Sequence, residues 1–171
     1  MDASVDKPVS ANDTAQGELQ VVEFILGDEH FAINLFDVKE VVEYTTITKL
    51  PQVRAYIRGI IDLSGEITTI IDLKQRLNIS GGSTGIGERS RIIVLDEKII
   101  GTKIGILVDD VTSVSTFAEN QIDRNSALIT KKDTSINGII KRKLRDKEKS
   151  INELIIWIDI RQLLADIDLS S

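Results

Sequence analysis

From residue 18 onward, short runs rich in valine and isoleucine alternate with turn residues. The runs at 19–26, 57–63, 67–73, 91–95, 99–108 and 153–158 have the length and the β-branched content of strands. Gly27-Asp28, Ser64-Gly65 and Asp96-Glu97 fall between apolar stretches and read as hairpin turns. Helical signals are short, at 35–42, 73–77 and 160–167. The pattern predicts an all-β fold with a few short helices. Residues 1–17, rich in Asp, Ser, Ala and Asn, show neither period and read as a disordered tail before one folded region at 18–171.

The chain repeats itself once. Ile71-Asp72-Leu73-Lys74-Gln75-Arg76-Leu77 returns as Ile158-Asp159-Ile160-Arg161-Gln162-Leu163-Leu164, and Gly59-Ile60-Ile61 returns as Gly138-Ile139-Ile140. Upstream of both, Asp37-Val38-Lys39-Glu40-Val41 matches Asp110-Val111-Thr112-Ser113-Val114. Three matches in one order point to two similar units rather than a solenoid. The approximate repeats are 18–80 and 90–168, joined by a connector at 81–89, and strands or the last helix are free to cross between them. Each unit, with about five short strands, is expected to close into a small barrel, because closure removes exposed sheet edges. The second copy carries extra residues around 141–149, so its hairpin is longer and has a charged tip.

Composition narrows the function. The net charge of −6 opposes the phosphate attraction behind nucleic-acid binding, and only 4% of residues are aromatic, too few for base stacking. There is no cysteine, which fits a reducing compartment, and the amino terminus does not read as a signal peptide. No apolar run approaches the roughly 20 residues that span a bilayer. A cytoplasmic protein without direct membrane insertion is expected.

Candidate chemistry is sparse. Gly81-Gly82-Ser83-Thr84-Gly85-Ile86-Gly87 lacks the following helix and Gly-Lys-Ser/Thr of a phosphate loop and reads as a connector. Asp72 and Asp159, one in each copy, would suit a two-lobed carboxylate hydrolase, but neither begins Asp-Thr/Ser-Gly. Both stand before a short helical stretch and read as structural caps. His30 is the sole histidine, so no histidine metal site or triad can form. Asp109-Asp110 reads as a solvated turn or helix start, Trp157 as core. The tip at 141–149, with six basic and two acidic residues, is a solvated hairpin or a docking site for an acidic partner. No catalytic residue, cofactor or metal is expected.

The segments 22–33 and 38–42, Leu50-Pro51, 56–67, Ile70-Ile71-Asp72-Leu73 and 105–111 together resemble the CheW family of chemotaxis coupling proteins, over roughly residues 19–165. The resemblance implies two five-stranded SH3-like β-barrels with a groove between them and no catalytic site. It implies an adaptor that couples methyl-accepting chemoreceptors to the histidine kinase CheA in signalling arrays. Its partners would be the kinase's CheW-like regulatory domain and the receptor's cytoplasmic tip, and partners would recruit it to the membrane arrays. A CheW-like adaptor of another receptor–kinase pathway, such as pilus motility, is the alternative. The sequence departs from the family at Ser64, where an arginine is usual, and at Thr69, where a proline is usual; no arginine-dependent contact is carried over.

For the groove, the family resemblance and the repeat single out Val38, Val111 and Val114, with Glu40 and Gly59 beside them. Packing in the core competes with this reading for the valines. An apolar strip that receives a receptor helix needs such anchors rather than charges.

Overall fold

The computed structural model describes residues 17–80, 87–125, 135–146, 149–165 and 167. The expected tail (except Gly17), residues 81–86 of the connector and 147–148 of the basic tip lie outside the described residues. The strands are β1 (Glu18–Leu26), β2 (Glu29–Asn34), β3 (Val38–Glu43), β4 (Ile57–Leu63), β5 (Glu66–Asp72), β6 (Arg91–Leu95), β7 (Ile104–Val108), β8 (Asp110–Ala118), β9 (Ile122–Asp123), β10 (Ile136–Asp146) and β11 (Lys149–Ile158). Among the described residues, three short helices interrupt them: α1 (Leu73–Leu77), α2 (Glu97–Ile100) and α3 (Ile160–Ala165).

These strands form two sheets, ordered β3-β6-β7-β5-β4 and β8-β1-β2-β11-β10-β9. The sheets do not divide the chain at 81–89. The first takes residues 38–108, and the second takes 18–34 together with 110–158. The opening hairpin crosses to the second half of the chain, because β2 pairs in parallel with β11 through Phe31–Ile156 and Ala32–Trp157. The first sheet contains the matching parallel pair, β5 with β7. Each sheet curls until its ends meet. After β3 the chain returns to β4 through the Thr48–Ile60 bridge. After β8, a 3-10 turn at Glu119–Gln121 leads into β9, which pairs with β10. Two small all-β barrels result.

Among the described residues, three apolar clusters form the core. Ile61, Ile70, Ile92, Val94 and Leu107 fill the first barrel. Leu19, Val21, Ala32, Phe117, Ile140, Ile155 and Trp157 fill the second. The largest cluster joins Val22, Phe24 and Ile33 of one sheet to Ile71, Ile93 and Ile106 of the other, with Ile160 and Leu163 of α3. The central strands are therefore buried on both faces. This is why β7 reads as an unbroken apolar run instead of an alternating one, with all five residues buried.

Several local expectations change. The stretch 35–42 is not a helix: a 3-10 turn at Leu35–Asp37 gives way at once to β3, whose valines favour the extended chain. The run at 99–108 is split, since Asp96 accepts a hydrogen bond from Lys98 N and starts α2 rather than a hairpin turn. Gly27 (φ 64°), and Ser64 and Gly65 (φ 51° and 87°), do form the tight turns between β1 and β2 and between β4 and β5. Trp157 is core, and its Nε1 donates to Asn34 Oδ1 at 2.6 Å.

The two caps behave as a matched pair. Asp72 Oδ1 accepts from Gln75 N at 3.2 Å, and Asp159 Oδ1 accepts from Gln162 N at 3.1 Å. Asp72 N also donates to Tyr56 O and Asp159 N to Ser135 O, both at 2.7 Å. Asp72→Ala and Asp159→Ala should each cost about 1 kcal/mol in urea unfolding. A change below a few tenths would remove the capping role.

Candidate functional site: valines on two bulged edge strands

β3 and β8 are equivalent edge strands of the two sheets, each broken by a bulge at the same place in the repeat. In β3, Val38 faces Leu95 and Glu40 faces Val94, so Lys39 is the extra residue. In β8, Val111 faces Phe24 and Ser113 faces Glu23, so Thr112 is extra. In a regular strand, residues three apart point to opposite faces. The bulge cancels one step. Val38 and Val41 thus lie across from Leu95 and Ile93, on the face turned toward the cluster between the barrels. Val111 and Val114 lie across from Phe24 and Val22, on the corresponding face.

The four valines grade from core to surface. Val38 and Val111 are half-buried and pack on the central cluster. Val41 is 40% exposed and Val114 63% exposed. An apolar strip thus leaves the core along the edge of each sheet. Val41 was legible only as the repeat partner of Val114; a strand period without the bulge sets it on the wrong face.

The other two expected residues are not on this face. Glu40 is exposed but lies across from Val94, on the opposite side of β3 from the valines. Gly59 is buried at the seam of the first barrel, where a Cβ would stand 2.1 Å from Thr48 O. Its φ of 141° adds a second demand for glycine. Gly59 closes the barrel, and at Gly138, its repeat partner in the second, a Cβ would stand 3.1 Å from Asp123 O.

Polar pairs fix the barrels across their shared cluster. Arg161 Nε on α3 donates to Asp37 Oδ1 at 3.0 Å, immediately before β3. Lys74 Nζ on α1, the repeat counterpart of Arg161, reaches Asp109 Oδ2 at 3.3 Å, just before β8. The same Asp109 oxygen accepts from Gly27 N at 2.7 Å, so Asp109 is a turn anchor rather than a solvated residue. The cation at the second position of each unit's helix therefore holds the aspartate ahead of the other unit's edge strand. Burial pushes the Asp37 carboxyl above its ordinary range, against the opposing pull of Arg161.

Inside the second barrel, on the face of Leu19 and Val21, lies Glu23, 1% exposed. Arg142 grips both of its carboxylate oxygens at 2.9 Å and also reaches Glu153 Oε1 at 2.6 Å. Ser113 donates to Glu23 at 3.0 Å and Ser115 donates to the same oxygen. The Arg142 guanidinium lies 5.7 Å from the centre of the Phe117 ring. Burial pushes the Glu23 carboxyl up, but the hydrogen bonds from Arg142, Ser115 and Ser113 outweigh it and hold the group below its ordinary 4.5. His30 is in this network too, with Nε2 3.1 Å from Glu153 Oε2 and a buried Nδ1 that has no hydrogen-bond partner among the described residues. Sequence alone did not reveal this network, because a lone Glu among β1 apolars looks like an outward-facing residue. Among the described residues no group of His, Asp and Glu could hold a metal, and no helix is long and apolar enough to cross a membrane.

Comparison with known proteins agrees with this architecture. A family model described as the CheW-like domain matches residues 20–168. The chemotaxis protein CheW of Bacillus subtilis is 33% identical over 130 residues, covering 75% of this chain and 80% of that protein. The CheW of Thermotoga maritima is 26% identical over 150 residues, covering 88% and 90%. The crystal structure of the scaffolding protein TtCheW from Thermoanaerobacter tengcongensis superposes with a TM-score of 0.70 at 34% identity, covering 88% of this chain and 94% of that one. With a matching fold and a family model spanning nearly all the described residues, the chain belongs to the CheW-like family.

Proposed function

We propose that the protein is a chemotaxis adaptor that couples chemoreceptors to the histidine kinase CheA by affinity and geometry, without catalysis. The observation that carries this reading is the valine strip on β3 and β8. Apolar side chains at a sheet edge, continuous with the core and increasingly exposed, are suited to receive an amphipathic helix such as a receptor tip. The kinase's CheW-like regulatory domain would use other faces of the barrels. In this reading the polar pairs Asp37–Arg161 and Asp109–Lys74 set the separation of the two edge strands.

The test separates anchor from core. Val38→Ala should cost roughly 1 kcal/mol or more of stability, since part of its side chain is packed. Val114→Ala should leave the melting temperature unchanged and weaken binding to a receptor-tip fragment about tenfold, equivalent to about 1.4 kcal/mol. Affinity for the kinase regulatory domain should stay the same in both. Unchanged receptor affinity in folded Val114→Ala would remove the strip from the binding surface.

A further inference from the structure

Among the described residues, β10 has an open edge with a defined chemistry. Among the described residues, β9 pairs only with its Ile139 and Ile140, while β10 continues to Asp146 against β11. The Lys141 carbonyl faces the open side, where it accepts from Gln121 Nε2 at 3.4 Å. Register is unbroken from Gly138 to Asp146. Backbone groups in such a ladder alternate, so those of Lys143 also face the open side. A cleft of about 450 Å³ lies along this edge, lined by Asn120, Gln121, Lys141, Arg142, Lys143 and Asn152, three cations and three amides with no carboxylate.

The charges there are unequally committed. Arg142 is turned inward to Glu23 and Glu153. Lys141 and Lys143 are exposed and have no ion-pair partner among the described residues. Segment 141–149 holds six of the chain's 21 basic residues and two of its 27 acidic ones, so it is net +4 in a chain of net −6. The two faces of the strand differ as well. Lys141 and Lys143 share one face. Leu144 shares the other with its cross-strand partner Ile151, at 43% and 48% exposure.

We propose that this edge receives an extended segment of a partner protein, alternating acidic and apolar residues, as an added strand on β10. The segment's backbone would pair with the open groups of Lys143. Its carboxylates would stand beside Lys141 and Lys143, and its apolar side chains beside Leu144. Main-chain pairing supplies affinity, and the alternation supplies specificity. The site lies apart from the valine strip and serves a partner beyond the receptor–kinase pair.

The probe is a fluorescent peptide of alternating valine and glutamate, titrated by anisotropy into the full chain at low and moderate salt. Binding should weaken with salt. Reversal of both charges, Lys141→Glu with Lys143→Glu, should weaken it at least about tenfold without lowering the melting temperature. The same peptide with alternate backbone amides methylated should bind comparably weakly, and Val114→Ala should bind the peptide as the unmodified chain does. Absence of binding at low salt, indifference to the double reversal, or equal binding by the methylated peptide or by polyglutamate would overturn the proposal.

Discussion

Arg142→Met should lower the unfolding free energy at neutral pH by roughly 3 kcal/mol, the usual penalty for stranding a buried charge. Glu23 would remain inside the second barrel with only Ser113 and Ser115 to hold it. The effect has a definite pH signature. Glu23 is held below its ordinary 4.5 in the folded protein. A carboxyl with a depressed folded pKa contributes stability above its unfolded value and loses it as pH falls through the folded value. The unmodified chain should therefore lose this contribution below about pH 4.5. In Arg142→Met the stranded carboxyl protonates more readily, so the deficit shrinks as the medium becomes acid. Adding Glu23→Gln to Arg142→Met should recover part of the loss, a coupling readable in a double-mutant cycle. Urea denaturation at neutral and acid pH measures all of this. A loss below about 1 kcal/mol, or a deficit that grows on acidification, would show that the pair is worth no more than a surface bridge.

Gly59→Ala should be more damaging than Gly138→Ala, although the two glycines are repeat partners. At Gly59 the new methyl would overlap Thr48 O at 2.1 Å, and the backbone stands at φ 141°. Relief requires opening the Thr48–Ile60 bridge that closes the first barrel. At Gly138 the nearest atoms are 3.1 Å and 3.2 Å away, so small shifts suffice. We expect a cost of about 3 kcal/mol or more for Gly59→Ala and a clearly smaller one for Gly138→Ala, read from melting temperatures. Loss of partner binding in the Gly59 variant should track the unfolded fraction. Equal costs at the two sites would contradict the seam geometry.

The repeat was the part of the fold most legible in the sequence. Each of its three elements has a structural duty: bulged edge strand, seam glycine, and capping aspartate. What the repeat could not show was which hairpin completes which barrel. Hairpins β1–β2 and β6–β7 are similar apolar runs, and their pairing with β11 and β5 is parallel and distant in sequence, a choice that no local pattern encodes. The site was legible in part. Val38, Val111 and Val114 stood out as repeated apolar residues beside charges, yet their common face depends on the bulges at Lys39 and Thr112. Glu40 was placed with them by proximity in sequence, and the bulge turns it away. Glu23 and Arg142 are 119 residues apart, and nothing near either one marks the other.

The chain contains no cysteine, so a single introduced thiol reports its own surroundings. Val41→Cys, Val114→Cys and Ile67→Cys place one at each of two strip positions and at an exposed control on β5. Alkylation rates measured with and without a saturating receptor-tip fragment, with binding verified by sedimentation, test whether the valine strip receives the receptor. Strong protection is expected at positions 41 and 114, with an unchanged rate at 67. Bound receptor tip with no protection at 41 and 114, or with protection at 67 instead, would contradict receptor docking on the strip.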